Sequence, residues 1–279
     1  MKGDCGMKIP FMKMSGSGND FILIDHRKPM VQPERMKEFA QKVCRRRVSV
    51  GADGLIFIEP SARADFTWRF FNADGSEAEM CGNGGRCAAR FAFLKGITGP
   101  SLTFETLAGR LSAEVSGKRV KLEMTKPHSL TLDQRLLIEG KEEAISSLNT
   151  GVPHAVLFVE DLETIDVVRL GRAIRYHARF APHGTNANFV RVEDESLLSV
   201  RTYERGVEDE TLACGTGTVA SALISAFQGK VKSPVAVKTR GGEVLTVHFE
   251  IQGKDVKKVL FEGEVHVIYE GEIWEEAYE

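Results

Sequence analysis

Two stretches carry the strongest signal for the fold: MCGNGGR at residues 80–86 and ACGTGT at residues 213–218. Each places a cysteine, Cys81 or Cys214, before a glycine-rich turn, and each turn leads into an apolar segment of helical character. A cysteine at a helix N-terminus is a common setting for a low thiol pKa, because free N–H donors and partial positive charge favour the thiolate. Two such cysteines in separate halves of the chain predict a pair of thiols that face one another across a site.

The segments that follow the two cysteines are almost free of charge. Residues 215–228 include no charged side chain, and residues 82–94 include only Arg86 and Arg90. A helix that is apolar nearly all round is buried nearly all round. We therefore predict an α/β fold of the α+β type with two pseudo-symmetric halves. Each half consists of strands wrapped around a central helix, and the active site lies in the cleft between the halves.

Periodicity along the rest of the chain predicts mostly short strands. Helices are predicted at residues 33–46, 84–94, 167–179 and 216–228. Strands are predicted at 21–25, 55–59, 65–72, 102–106, 120–124, 155–159, 188–192, 198–203, 235–239, 244–250, 256–261 and 265–269. A short internal repeat, GNDFI at 18–22 and TNANFV at 185–190, supports two homologous halves. The predicted domains are 8–126 with 266–279, and 127–265.

Composition excludes several classes of protein. With 37 Lys and Arg against 39 Asp and Glu, the net charge of −2 provides no field that would recruit nucleic acid or an anionic membrane. No stretch reaches the ~20 apolar residues of a membrane span, and the start of the chain has no secretory h-region. The five cysteines include no C-x-x-C pair, which favours reduced thiols in the cytoplasm over a disulfide framework or a metal site. Cys44 and Cys87 are predicted core residues, and Cys5 lies in a terminal segment.

Two opposed thiols suit the inversion of an amino acid at its α-carbon. The α-proton leaves from one face and another arrives on the opposite face, so the reaction needs one base and one conjugate acid. Cysteine serves in both roles because its reference pKa of about 8.5 lets thiolate and thiol coexist. Two helix N-termini aimed at the substrate carboxylate would stabilise the negative charge that develops. Such a reaction needs no cofactor.

In these residues the chain resembles the diaminopimelate epimerases, which are pyridoxal-independent amino-acid epimerases. The resemblance covers almost the whole chain, and its specificity comes from several motifs in a fixed order. They are SGSGNDF at 15–21, FNADGS at 71–76, MCGNGGRC at 80–87, TGVPH at 150–154, GTNANF at 184–189, YERG at 203–206 and LACGTG at 212–217.

The resemblance implies interconversion of LL- and meso-diaminopimelate in lysine and peptidoglycan precursor synthesis, with Cys81 and Cys214 as the acid/base pair. It implies that the reacting carboxylate is held by Gly82, Asn83, Gly215 and Thr216. It assigns the rest of the substrate to Asn19, Asn72, Asn186, Glu204 and Arg205, and the tuning of thiol pKa to His154 and Glu204. Arg205 suits the distal carboxylate and Glu204 the distal ammonium. The family also implies a cytoplasmic homodimer with a small amino-acid substrate, without nucleic acid or membrane.

Two positions depart from the family pattern. Many members have GNPH where this chain has GVPH, so Val152 replaces an asparagine that helps to hold substrate. Gly54 stands where some members have glutamine. These departures concern contacts to substrate and leave the two-thiol chemistry intact.

Other interpretations of the same residues stay open at this point. A proline or hydroxyproline racemase would share the cysteine pair but would give Glu204 and Arg205 no distal zwitterion to bind. A phenazine-type isomerase would not use the cysteines. A thiol redox protein or an anion-binding module would use the same two turns without epimerisation. Each motif taken alone also has a structural interpretation. Residues 72–75 are typical of a turn that ends a strand, His154 could be a loop histidine, and Glu204–Arg205 could be a surface ion pair.

Overall fold

Residues 8–279 are described by the structure, a computed structural model, and they divide into two units. The first unit extends to Leu122 and also includes Glu264–Glu279, and the second is Glu123–Gly263. The boundaries predicted from sequence, after residues 126 and 265, fall a few residues from these. The prediction made for Cys5 lies outside the described residues.

The described part of the chain consists mainly of strands with four α-helices between them, as the sequence predicts. The strands are β1 (Ile9–Gly16), β2 (Asn19–Asp25), β3 (Gly54–Glu59), β4 (Phe66–Asn72), β5 (Ser101–Thr106), β6 (Gly109–Ser116), β7 (Arg119–Glu123), β8 (His128–Ile138), β9 (Lys141–Asn149), β10 (Pro153–Phe158), β11 (Asn186–Asp194), β12 (Leu197–Glu204), β13 (Asp209–Thr211), β14 (Val235–Lys238), β15 (Val244–Gln252), β16 (Asp255–Glu264) and β17 (His266–Ile273). The helices are α1 (Met36–Val43), α2 (Gly82–Leu94), α3 (Val167–Arg175) and α4 (Gly215–Phe227).

The first unit pairs its strands in the order β17-β1-β2-β3-β4-β5-β6-β7. The successive pairings are antiparallel, antiparallel, parallel, antiparallel, parallel, antiparallel and antiparallel. Helix α2 contacts β1, β2, β3 and β6, so strands from both ends of this order pack around it. This packing explains why its residues from Asn83 to Ala89 are all buried.

The second unit repeats this arrangement strand by strand. Its order is β8-β9-β10-β11-β12-β14-β15-β16, with the short β13 added beside β12. The directions of the seven pairings follow the same sequence as in the first unit. Helix α4 contacts β9, β10, β11, β12, β14 and β15, and its residues from Gly217 to Ser225 are buried. The two units are therefore topological copies, each with strands around a central apolar helix.

The repeated topology corrects the internal repeat predicted from sequence. Because α2 and α4 follow the fifth strands of the shared order, β4 and β12, the match of Cys81 with Cys214 is retained. The proposed match of residues 18–22 with 185–190 is wrong, because β2 corresponds to β10 whereas residue 186 begins β11. A short glycine- and asparagine-rich segment aligns easily by chance with the wrong strand.

The outer helices α1 and α3 are amphipathic and shorter than predicted. Buried Phe39 and Val43 of α1 pack in one apolar cluster with Leu55 and Phe57. Residues Pro33–Arg35, predicted as α-helix, form a 3-10 turn instead. The predicted third helix ends at residue 179, and its last two residues belong to the 3-10 turn Ala178–Phe180. Each outer helix joins two parallel strands, as a crossover connection does. These outer helices cover the sheets. The polar ends of the two buried helices are the N-termini of α2 and α4.

Five strands were not predicted from the sequence: β1, β6, β8, β9 and β13. The β8–β9 hairpin shows why, because most of its side chains are exposed or half-buried and its sequence is polar. Its turn has positive φ at Glu139 (48°) and Gly140 (83°), the conformation that a two-residue hairpin favours. Within residues 8–279, none of the helices has the length and apolar character needed to cross a membrane.

Candidate active site

In the first unit, Cys81 is the N-cap residue of α2. Its backbone is extended (φ −146°, ψ 117°), and its Sγ accepts a hydrogen bond from the Gly84 N–H at 3.4 Å. The first helical bond then runs from the Gly85 N–H to the Cys81 carbonyl at 2.8 Å. A sulfur that accepts from a helix N-terminal N–H is stabilised as the thiolate. The side chain is half-buried, so it is accessible to a ligand.

A chain of amides joins the predicted substrate residue Asn19 to the cysteine turn. Asn83 Nδ2 donates to Asn19 Oδ1 at 2.8 Å, and Asn19 Nδ2 donates to Asp53 Oδ2 at 3.0 Å. Arg86, which is fully buried, donates to Asn83 Oδ1 at 3.1 Å and to the Ser17 hydroxyl. These bonds fix which end of each amide is oxygen and which is nitrogen. The structure thus brings together three of the residues predicted for the first half of the site: Cys81, Asn19 and Asn83.

A cluster of ion pairs lies next to Asn19 and holds its partner Asp53. Arg46 bonds Asp20 Oδ1 at 2.6 Å and Asp53 Oδ1 at 2.8 Å, and Lys13 lies 2.9 Å from Asp20 Oδ2. Burial raises the pKa of Asp20, but the hydrogen bonds from Arg46 and Lys13 outweigh it and hold the pKa below its usual value. The Asp20 carboxylate therefore stays charged, and the hydrogen bond from Asn19 Nδ2 to Asp53 keeps the Asn19 amide in one orientation.

Asn72 bonds within its own turn, unlike Asn19 and Asn83, which bond each other. It ends β4, is exposed, and donates through Nδ2 to Ser76 Oγ at 3.0 Å within the following turn. Its partner across the sheet is Gly54. A Cβ at Gly54 would lie 2.5 Å from Phe70 Cε2 and 2.9 Å from the Phe71 carbonyl. The absence of a side chain at residue 54 is thus a packing requirement in this chain, and the role of Asn72 toward substrate stays a prediction.

In the second unit, Cys214 occupies the same place at the start of α4. It is extended (φ −120°, ψ 109°), buried, and its Sγ lies 3.6 Å from Thr216 Oγ1. Its carbonyl accepts from both the N–H and the hydroxyl of Thr218, at 2.8 and 2.9 Å. Thr150 Oγ1 donates to the Thr216 carbonyl at 3.0 Å, which ties the cysteine turn to the TGVPH loop.

The strand ends next to this turn hold the other predicted residues of the second half. His154 of β10 pairs in register with Asn186 of β11. Asn186 Nδ2 donates to the Pro153 carbonyl at 3.0 Å, and its Oδ1 accepts the Arg205 N–H at 2.8 Å. Burial, aided by the charge of Arg205, lowers the pKa of His154 to about 3, so its imidazole is neutral at physiological pH. Burial likewise raises the pKa of Glu204.

The predicted site residues of the two units lie at equivalent positions of the repeated fold. Cys81 and Cys214 cap the central helices, and Asn72 and Glu204 are the last residues of the corresponding strands β4 and β12. Gly54 begins β3 as Asn186 begins β11. The repeated fold therefore presents one thiol and one polar strand end in each unit, but with different side chains.

Comparison with known proteins decides the family. The diaminopimelate epimerase family model matches residues 11–130 and 146–267. The diaminopimelate epimerase of Aquifex aeolicus is 50% identical over 282 residues, which cover 97% of this chain and 100% of the relative. That of Archaeoglobus fulgidus is 46% identical, with 85% of this chain and 88% of the relative covered.

The chain belongs to the diaminopimelate epimerase family. Solved structures with the same fold include a PhzF-family phenazine biosynthesis protein of Bacillus anthracis, with TM-score 0.74, 17% identity, and 96% of this chain and 99% of that chain covered. A hydroxyproline epimerase of Agrobacterium vitis has TM-score 0.72 and 15% identity, with 99% and 94% covered. At such identities the likeness concerns the fold alone, which confirms the two-unit α/β architecture of this epimerase.

Sequence reasoning overlooks several residues that support the site of this epimerase. Asp53 contacts Asn19 and Asn188 contacts His154, and Thr202 in turn donates to Asn188. One signal was present for Asn188: it lies two residues after Asn186, and alternate residues of a strand share a face. For Asp53 the signal was weaker, because its contact with Asn19 depends on the pairing of β2 with β3.

Proposed function

We propose that this chain epimerises LL-2,6-diaminopimelate to meso-diaminopimelate by a cofactor-independent two-base mechanism, with Cys81 and Cys214 as the bases. The enzyme is an isomerase of lysine and peptidoglycan precursor biosynthesis. The observation that carries the mechanism is the repeated one: each unit places one cysteine as the N-cap of its buried central helix. A thiol with a purely structural role would not need to be the N-cap residue of the central helix in both units.

The proton chemistry needs one thiolate and one thiol at the same α-carbon. The thiolate takes the α-proton from one face, and the thiol gives a proton to the opposite face, so that the two cysteines exchange protonation states in a turnover. The Gly84 N–H at the Cys81 sulfur, and the helix N-terminus at each cysteine, favour the charged form. Microscopic reversibility assigns the opposite roles to the two residues in the reverse direction.

The carbanion needs stabilisation because an α-proton is a very weak acid. Charge flows into the α-carboxylate, where backbone N–H groups of the two first turns can receive it. Gly82 and Asn83 provide these donors in one unit, and Gly215 and Thr216 in the other. Donors fixed by a helix before the reaction cost no reorganisation when the charge develops. We assign the reacting carboxylate to these turns.

The distal end of the substrate is a second amino-acid group, with one ammonium and one carboxylate. Arg205 suits the carboxylate, and its backbone is held by the bond of its N–H to Asn186. Glu204 and the amides of Asn19, Asn72 and Asn186 provide the remaining donors and acceptors. A site built from hydrogen-bonding groups discriminates strongly against substrates that lack the matching group, such as proline.

Proton NMR in D2O tests the proposed function directly. We expect the reduced protein to exchange the α-proton of LL-diaminopimelate for deuterium while the meso isomer accumulates. Proline, offered at the same concentration, is expected to show no exchange. Exchange with proline but not with diaminopimelate would contradict the substrate assignment and favour the racemase interpretation. No exchange with either substrate, with thiols verified as reduced, would contradict the epimerase proposal.

We also propose that the protein is a cytoplasmic homodimer, and one surface of the first unit supports the dimer. On β17, the consecutive residues Val267, Ile268 and Tyr269 are 38%, 54% and 44% exposed. Tyr269 packs edge-on against Phe11 of β1, with ring centroids 5.7 Å apart. Consecutive exposed apolar residues on a strand are typical of a covered interface.

Sedimentation velocity checks the dimer. The unchanged protein is expected to sediment as a dimer, and Ile268→Glu to sediment as a monomer, because a carboxylate would be desolvated at the interface. Leu107→Glu is the matched control, since Leu107 is 65% exposed elsewhere in the first unit. A monomeric unchanged protein, or a dimeric Ile268→Glu variant, would contradict this surface as the interface. The cytoplasmic location stays a prediction.

A further inference from the structure

His154 stands out because its imidazole is fully buried and has one ring nitrogen without a protein partner. Nε2 makes no hydrogen bond to any residue within 8–279, whereas Nδ1 lies 3.2 Å from Asn188 Nδ2. A buried polar atom without a partner costs free energy unless a ligand or water satisfies it. The question is which of the two nitrogens holds the proton.

The surroundings of the Asn188 amide decide its orientation. The atom that faces the Ala155 carbonyl oxygen, at 2.9 Å, must be the nitrogen, because two oxygens at that distance would repel. Thr202 Oγ1 then donates to Asn188 Oδ1 at 3.0 Å. All three residues, His154, Asn188 and Thr202, are buried, so bulk water does not compete for these bonds.

The orientation of that amide fixes the tautomer of His154. One hydrogen of Asn188 Nδ2 goes to the Ala155 carbonyl, and the other points to His154 Nδ1. Nδ1 must therefore accept, and a neutral imidazole that accepts at Nδ1 has its proton on Nε2. Burial and the nearby charge of Arg205 keep the ring neutral by lowering its pKa to about 3.

The same amide lies against the turn of Cys214. A Cβ placed on Gly217 would be 2.3 Å from Asn188 Oδ1 and 3.3 Å from Cys214 Sγ. His154 also pairs in register with Asn186 of the neighbouring strand. Asn186 Oδ1 accepts a hydrogen bond from the Arg205 N–H. His154 thus stands between the cysteine turn and the residues assigned to substrate, on contacts made entirely within the second unit.

We propose that Asn188, held by Thr202, is a positioning residue that fixes His154 as the neutral Nε2–H tautomer, so that His154 acts as a hydrogen-bond donor to a carboxylate of the bound amino acid. His154 is then neither a general acid nor a general base. The carboxylate contact rests on the proposed function, whereas the tautomer does not.

Nitrogen-15 NMR of the imidazole groups in the full-length protein tests the tautomer without any activity measurement. A His154→Gln variant assigns the signal. From pH 5 to 8 we expect a protonated Nε2 and an unprotonated Nδ1. Saturating meso-diaminopimelate is expected to shift the Nε2–H resonance. A protonated Nδ1 in the unchanged protein would overturn the proposal, and an Nε2–H resonance that ignores the substrate would overturn the donor role.

Two variants test the positioning roles. Asn188→Asp removes the donor and is expected to move a proton to Nδ1, with a loss in kcat/KM of about 10- to 100-fold, the range typical when a partner that orients a functional histidine is lost. Thr202→Val retains the shape of the side chain and replaces Asn188→Asp in the test if that variant does not fold. We expect Thr202→Val to leave both tautomers of His154 populated. Thr239→Val, whose hydroxyl bonds the Glu243 carbonyl in a turn, is the matched control.

The outcomes separate this proposal from the proposed function. Lost activity with an unchanged His154 tautomer in both variants would show a purely structural role and contradict the positioning role. The expected tautomer in a protein that does not exchange the α-proton of diaminopimelate would overturn the substrate assignment and leave the Asn188–His154 relation standing.

Discussion

Cys81→Ala and Cys214→Ala are each expected to abolish epimerisation of diaminopimelate. The reaction needs a base on one face and an acid on the other, so that the loss of either thiol interrupts turnover in both directions. General acid–base groups typically contribute about 10²- to 10⁴-fold to a rate, and we expect a loss of about 10³-fold or more in kcat for each variant. The measurement is the rate of meso-diaminopimelate formation from the LL isomer.

Cys44→Ala is the matched control for these variants. Cys44 follows α1, is 3% exposed, and belongs to an apolar cluster of the first unit, as its sequence pattern predicts. Burial raises the pKa of its thiol to about 12, so it stays protonated at the pH of the assay. We expect this variant to retain activity and to lose only stability.

Two results would contradict the two-base assignment. The first is a Cys81→Ala or Cys214→Ala variant that folds as the unchanged protein does and still forms the meso isomer at a comparable rate. The second is an equal loss of activity in Cys44→Ala, since that would point to a general requirement for thiols in folding. A double variant Cys81→Ala/Cys214→Ala should be no worse than either single variant, because residues that act as a unit are not additive.

The central helices and the cysteine turns could be predicted from sequence because their signals are local. A run of 13 residues without a charged side chain that begins in a glycine-rich turn indicates burial by itself. In α4 the structure gives Gly215–Phe227 against the predicted 216–228. Helix α2 begins at Gly82, two residues before its predicted start. The glycines that mark these turns also lower helix propensity, which explains why the predicted starts were late.

Long-range pairing was the part that the sequence could not provide. The polar strands β8 and β9 have no alternation to distinguish them from loop, and only their pairing satisfies the backbone. The wrong match of residues 18–22 with 185–190 has the same cause, since the correspondence of β2 with β10 appears only in the strand order. Gly54 is a departure from the family pattern whose reason the sequence does not show: a Cβ there would lie 2.5 Å from Phe70 Cε2, so the position has no room for a side chain.

Gly217→Ala is expected to impair both activity and stability, although alanine is the better helix former by about 1 kcal/mol. The added Cβ would lie 2.3 Å from Asn188 Oδ1, a distance at which one of the two groups must move. Asn188 is held by Ala155, His154 and Thr202, and the added Cβ would also lie 3.3 Å from Cys214 Sγ. We expect a loss of about 1 to 3 kcal/mol in the free energy of unfolding, typical of overpacking, and at least a tenfold loss in kcat/KM.

A double-mutant cycle locates the cause of that loss. If the clash is with Asn188 Oδ1, then Gly217→Ala should cost much less stability in an Asn188→Ala background, because the colliding atom is gone. Urea denaturation of the four proteins gives the coupling free energy, and Gly99→Ala, where a Cβ meets no atom within 4 Å, is the control. Additive effects would contradict the contact, and an unimpaired Gly217→Ala variant would show that the first turn of α4 can shift without loss. A large coupling would instead tie Asn188 and the Cys214 turn into one rigid group, in which the position of the thiol depends on residues from three neighbouring strands.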